Sequence, residues 1–301
     1  MKATTFLVPL LVLAACAPKK ESTVEVESYR NEINAWHADR VANQLTGDNG
    51  WLNLAGLFWL NEGFNTFGSD PSNDVVFPAG KIAPNAGTFV VQQGKVTMEV
   101  APGVKIWRDS VEAFHEVIHM PDSAFHPVLS AGSLKWWIID RSGKLGVRLR
   151  DMDSEAVKNF KGVDRYPVDP KWRVEAHFEK YAPIRHIDIT NILGQTYQSP
   201  CPGALVFAIE GKEYRLDAID DGTEGEYYIL FGDQTNGNGT YPSGRYMYVK
   251  HPDGAGKVVV DFNKAYNPPC AFTEFATCPL PPRQNGLPLA ITAGEKNYGK
   301  H

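Results

Sequence analysis

The residues best suited to chemistry gather late in the chain. Phe231-Gly232-Asp233-Gln234-Thr235-Asn236-Gly237, Tyr241-Pro242-Ser243-Gly244-Arg245, Asp261-Phe262-Asn263-Lys264-Ala265-Tyr266-Asn267-Pro268-Pro269-Cys270 and Ala293-Gly294-Glu295-Lys296 together supply carboxylates, amides, hydroxyls and cations. Arranged round one pocket, Asp233, Asp261 or Glu295 would act as acid or base, and Arg245 or Lys264 would hold an anion. Thr235, Asn236, Asn263, Tyr266 and Asn267 would hydrogen-bond a ligand. The same residue types also satisfy the backbone of an irregular loop whose N–H and C=O groups have no strand partner, and that structural reading stands beside the ligand-binding one.

A second pattern is His115-Glu116-Val117-Ile118-His119. On a helix, His115 and His119 would share a face at zinc-binding spacing, Glu116 would deprotonate a bound water, and His126 would be a third ligand. The surroundings oppose a helix. Val117 and Ile118 are β-branched, Pro121 stops helical continuation, and strand-like sequence flanks the segment. The expectation is therefore a strand and loop with no metal, the zinc hydrolase being kept as the alternative. No Ser-centred elbow, phosphate-binding loop or dinucleotide-binding glycine pattern occurs, and no cofactor is expected.

The elements that must position these groups read mainly as strands. One amphipathic helix is expected over 28–47, with Tyr29, Ile33 and Trp36 on one face, Ser28 as N-cap and Gly47 past the end. After Gly50 the apolar period becomes two. Val96, Met98 and Val100 alternate with Lys95, Thr97 and Glu99; Trp172, Val174, Ala176 and Phe178 alternate with charged neighbours. Leu134–Asp140 and Leu145–Arg150 flank Ser142-Gly143 as a hairpin, and Ala204–Ile209 with Glu213–Leu216 flank Glu210-Gly211 similarly. Further strands are expected at Tyr227–Phe231, Arg245–Lys250, Lys257–Phe262 and Leu289–Thr292. The fold class is mainly β: antiparallel sandwich or barrel-like sheets in two halves, 50–166 and 167–301. The boundary is set at Arg165-Tyr166-Pro167-Val168-Asp169-Pro170, because two prolines so close do not fit inside a central strand.

The chain has 301 residues, 43% hydrophobic and 22% charged, so it can bury a substantial core. A net charge of -5 gives no electrostatic footprint for nucleic acid. Met1-Lys2, an apolar run from Phe6 to Leu13, and Leu13-Ala14-Ala15-Cys16 form a secretory signal ending in a lipobox. The run is too short to span a bilayer. The expectation is a signal peptide over 1–15, a Cys16 acylated and anchored to a membrane of the bacterial cell envelope, and a tether over 16–27. In that oxidising compartment Cys270 and Cys278 can pair, or remain buried thiols; Cys201 is left over.

The chain resembles the bacterial family called domain of unknown function 1684. Tyr29-Arg30-Asn31-Glu32-Ile33 and Trp51-Leu52-Asn53-Leu54-Ala55-Gly56-Leu57-Phe58-Trp59-Leu60 carry part of the resemblance. Asp261–Cys270 with Cys278-Pro279-Leu280-Pro281-Pro282, Phe231–Gly237 and Ala293–Lys296 carry the rest. The resemblance implies no activity, substrate or cofactor, and H-E-x-x-H lies outside its pattern. Two classes of function follow from the residues. One is an envelope lipoprotein that binds a small or glycan-like ligand, or serves a structural role, through the C-terminal polar loop, with no protein partner identified. The other is a hydrolytic enzyme using carboxylates of that loop.

Overall fold

The computed structural model describes residues 23–141 and 143–299. The signal, the tether as far as residue 22, Cys16 and the first residue of the Ser142-Gly143 turn lie outside them. The fold is mainly β, as the alternation requires, and its sheets are antiparallel apart from one short parallel pair. No helix among the described residues is long and apolar enough to cross a membrane.

The first half carries β1 (Leu54–Trp59), β2 (Gly63–Gly68), β3 (Val75–Val76), β4 (Gly87–Gln92), β5 (Lys95–Val100), β6 (Ile106–Arg108), β7 (Val111–Ala113), β8 (His115–His119), β9 (Leu129–Ala131), β10 (Leu134–Arg141) and β11 (Lys144–Asp151). One sheet runs β1-β11-β10-β9-β6-β7, and the other runs β3-β2-β4-β5-β8. Phe67, Phe89, Val96, Met98 and Ile118 from the second sheet meet Leu134, Trp136, Ile138, Val147 and Leu149 from the first in one core. Because strand side chains alternate between faces, burying Leu134, Trp136 and Ile138 sends Lys135, Trp137, Ile139 and Arg141 to the opposite face. On β11 the same rule sends Arg148 and Arg150 there. The register then sets Trp137 opposite Arg148, and Lys135 opposite Arg150.

The short helix α2 (Glu155–Lys158), absent from the sequence reading, precedes an irregular run through the two prolines. The second half carries β12 (Arg173–Thr190), β13 (Thr196–Ile209), β14 (Lys212–Ala218), β15 (Glu226–Phe231), β16 (Arg245–Lys250) and β17 (Lys257–Asp261). The sheet β14-β13-β12-β17 and the pair β15-β16 share a second core that includes Leu205, Leu216, Phe231, Met247, Val260 and Phe262. A bridge between Ile219 and Tyr228 ties β14 to β15, so the two sheets curve toward a partial barrel. The turn between β13 and β14 follows its sequence signal: Glu210 and Gly211 both take positive φ, 52° and 77°, as a two-residue hairpin loop demands.

Two expectations are corrected. Leu289–Thr292 is not a strand; side chains hold it instead, Asp233 accepting from the Ile291 N–H and Arg245 donating to the Ile291 carbonyl. The helix α1 runs Thr23–Arg40 and continues as a wider turn over Val41–Leu45, so Ser28 lies inside it and caps nothing. Nor is its buried face simply apolar. Beside Ile33 it buries Arg40, and Tyr29 forms hydrogen bonds to the second half.

Candidate functional site

The C-terminal segments form three polar knots. Each holds a carboxylate already engaged by other side chains. In the first, Asp233 pairs with Arg245 at 2.7 Å, both side chains fully out of solvent. The other Asp233 oxygen accepts from the Thr235 N–H at 2.7 Å and the Thr235 hydroxyl at 2.6 Å. Arg245 also donates to the carbonyls of Ile291 and Ala293. Thr235 shares its hydroxyl with Thr240, and the Asn236 amide donates to the Tyr241 carbonyl. Burial lowers the Arg245 pKa, and Asp233 opposes that shift.

In the second knot, Glu295 receives both arms of Arg40, Nε at 2.7 Å and Nη2 at 3.1 Å, together with the Asn267 N–H at 2.8 Å. This two-pronged geometry is the strongest an arginine makes with a carboxylate. The Arg40 guanidinium sits 4.8 Å from the Trp51 ring centre and 4.3 Å from that of Tyr266. Gly294 makes the approach possible: a Cβ there would stand 2.4 Å from the Ala265 carbonyl oxygen. Asn267 turns its amide N–H to the Lys296 carbonyl.

In the third, the Tyr29 hydroxyl donates to Asp261 at 2.8 Å, and Asn263 donates to Tyr29 and to the Asp169 carbonyl. Asp261 also caps the turn that follows it by accepting from the Asn263 N–H. Beside this knot Lys264 pairs with Glu32 of α1. Of the loop residues singled out in the sequence, Asp233, Thr235, Asn236 and Arg245 brace the loop internally. Asp261, Asn263, Lys264, Tyr266, Asn267 and Glu295 clasp α1 onto the second half.

Cys270 and Cys278 are bonded, closing the loop between them. Cys201 is a buried free thiol whose pKa burial raises to about 11, which keeps it protonated and unreactive. His115-Glu116-Val117-Ile118-His119 is strand β8, so the helical zinc geometry is not formed. His115 faces Glu99 in solvent, whereas His119 is buried and stacks on His126 at 5.9 Å. Among the described residues no three His, Cys, Asp or Glu side chains come together to hold a metal ion.

An open site lies elsewhere, between the halves. The face of β10 and β11 turned away from the first core forms one wall of a cleft of about 320 Å³. It contributes Trp137, Ile139, Arg141, Arg148 and Arg150; Tyr228 and Tyr246 from the β15-β16 pair contribute the other wall, and Ala276–Pro279, at the end of the disulfide loop, also line it. Here the arginines differ from those of the knots. Among the described residues, none of Arg141, Arg148 and Arg150 has a carboxylate within ion-pair distance. Arg148 donates to the Phe275 carbonyl and Arg150 to the Gly50 carbonyl; the buried Nε of Arg150, like that of Arg245 in the first knot, has no hydrogen-bond partner. Burial brings the Arg148 pKa down to about 10, with repulsion from Arg141 and Arg150 adding to it. Arg148 is buried and Arg150 half-buried beside aromatic rings, while Arg141 is exposed; cations withdrawn from water without an anion favour the binding of one.

The sequence reading passed over this cleft. Its signal was present in Trp136-Trp137 and in the alternating Arg148 and Arg150, but the opposite wall comes from residues more than seventy positions later.

The family described as "Protein of unknown function (DUF1684)" matches residues 158–296. An uncharacterised protein of Haloarcula marismortui, solved by solution NMR, is 31% identical over 48% of this chain and 80% of that one, with a TM-score of 0.40. The chain belongs to the DUF1684 family. No curated protein matches it. The DUF1684 match is narrower than the sequence resemblance, leaving Tyr29–Ile33 and Trp51–Leu60 outside. It contains the carboxylates of all three knots and the disulfide loop. The cleft straddles its edge: Tyr228, Tyr246 and Ala276–Pro279 lie within 158–296, whereas Trp137, Arg141, Arg148 and Arg150 lie before it.

Proposed function

We propose that this DUF1684 member is a binding protein for a small anionic ligand, held in the cleft between its two halves. The observation that carries the reading is the set of Arg141, Arg148 and Arg150, gathered beside Trp137, Tyr228 and Tyr246 with no carboxylate to neutralise them. An apolar, aromatic-walled cleft with a few convergent charged groups is the usual form of a small-molecule site. The hydrolytic reading has less behind it, because the loop carboxylates are engaged in separate knots. In this reading the polar loop is structural: it seats α1 and leads into the disulfide loop that lines the cleft. The lipobox Leu13-Ala14-Ala15-Cys16 supports a further part of the proposal, that acylated Cys16 tethers the protein to a membrane of the cell envelope.

The test is titration with inorganic phosphate, followed by calorimetry and thermal unfolding. Phosphate at a hundred times its dissociation constant should add about 2.7 kcal/mol of stability. Arg148→Met keeps an unbranched apolar stem and removes the charged guanidinium. That variant should lose the phosphate response while unfolding no earlier than the parent, since it removes a buried, uncompensated cation. An unchanged phosphate affinity in Arg148→Met would refute the cleft as the site. For the tether, Cys16→Ser should move the protein from the membrane fraction to the soluble one; retention in the membrane fraction would remove that part.

A further inference from the structure

Trp137 and Arg150 of the cleft also line a second cavity, of about 680 Å³. The chemistry of the second cavity is different. Asp48 and Asp109 line it together with Lys135, Arg150, Asn49 and Ser130. Its two carboxylates are balanced by two cations, so this lobe has no excess positive charge for a second anionic group and suits a neutral polar one. The ligand best matched to both lobes is asymmetric, with one anionic end among Arg141 and Arg148 and a neutral polar end in the second cavity.

Donor and acceptor counting narrows the neutral end. Carboxylates only accept, an ammonium only donates, and an amide or hydroxyl does both. A wall that mixes Asp48 and Asp109 with Lys135, Asn49 and Ser130 suits groups that donate and accept from the same atom. Adjacent hydroxyls do this. The half-buried indole that lines both lobes offers an apolar surface on which the C–H face of a sugar ring can lie. We infer that the ligand is an anionic sugar, its carboxylate or phosphate held by the arginines and its hydroxyls by the Asp48–Asp109 lobe. This inference rests on the cleft being the binding site.

The experiment is a calorimetric titration of the full-length protein with glucose 6-phosphate, galacturonate and cellobiouronate. Inorganic phosphate, neutral cellobiose and adenosine monophosphate serve as comparisons. At least one anionic sugar should bind about tenfold more tightly than both phosphate and cellobiose. Asp109→Asn is the informative variant, because asparagine tolerates the left-handed backbone that Asp109 occupies at φ 55°. It should reduce the sugar-over-phosphate preference about tenfold, while Arg148→Met abolishes binding of both. Phosphate binding that is lost in Arg148→Met, with no sugar exceeding it, would leave the cleft standing and overturn the sugar. So would adenosine monophosphate binding more tightly than every sugar, or a preference unchanged in a folded Asp109→Asn protein. No binding by phosphate or any sugar would overturn the cleft and the inference together.

Discussion

The clasp and the cleft use the same residue type to opposite ends. Arg40 and Arg245 are fully buried, and each meets a carboxylate with good geometry and additional carbonyl acceptors. Arg148 is also buried and Arg150 half-buried, yet each has one backbone carbonyl and no counter-charge. A paired buried arginine contributes to structure, whereas one left without a counter-ion is a standing electrostatic cost that an anionic ligand relieves. Counting charged residues in the loop therefore does not by itself locate a binding site. What matters is whether each charge already has its partner.

Mutation tests this contrast directly. Glu295→Ala leaves Arg40 buried without its anion and should lower unfolding stability by about 3–5 kcal/mol in urea denaturation. Arg148→Met, at the same level of burial, should leave it unchanged or raise it. Equal losses from the two variants would erase the distinction. Opening the disulfide in a Cys270→Ser/Cys278→Ser protein should remove about 2.6 kcal/mol. That variant also loosens Ala276–Pro279, so phosphate affinity should fall with stability; a stability loss with unchanged affinity would separate the disulfide loop from the site.

The smallest expected effect is on pH dependence. Burial lowers the pKa of His37, against the pull of Glu295 and with Arg165 and Arg40 adding to the shift. Burial also lowers His119, with His126 contributing and Asp140 opposing. The unfolded chain thus takes up these protons first. Stability should fall as pH drops below about 6.5 and level off once the depressed folded-state values are passed. His37→Gln should flatten part of this slope through the clasp alone, and His119→Phe should flatten the remainder through the first half. A slope unaffected by either would show that the two histidines do not govern it.

Much of the fold was legible because strand alternation is local. The β10-β11 hairpin, the turn at Glu210-Gly211, and strands β5, β15, β16 and β17 follow from period and turn residues within a few positions. The strand context also argued correctly against a helical H-E-x-x-H. Leu289–Thr292 misled because its apolar residues look like a strand, although its backbone groups are held by Asp233 and Arg245 side chains. The helix stripe Tyr29, Ile33 and Trp36 does face the β body, but the polar anchors on that face were not legible, because Tyr29 and Arg40 find their partners 232 and 255 positions away. The cleft was hidden for the same reason: one wall is a strand face whose outward side chains look like ordinary solvated residues until the second half packs against them.

That long reach also bears on how the molecule assembles. Arg40 and its counter-ion Glu295 stand 255 positions apart, so α1 cannot make this contact until the chain between them is in place. Closing a loop of that length is entropically slow, and contacts of such high sequence separation form late in folding. A chain whose intervening residues have not folded therefore leaves Arg40 without its carboxylate and α1 without this anchor.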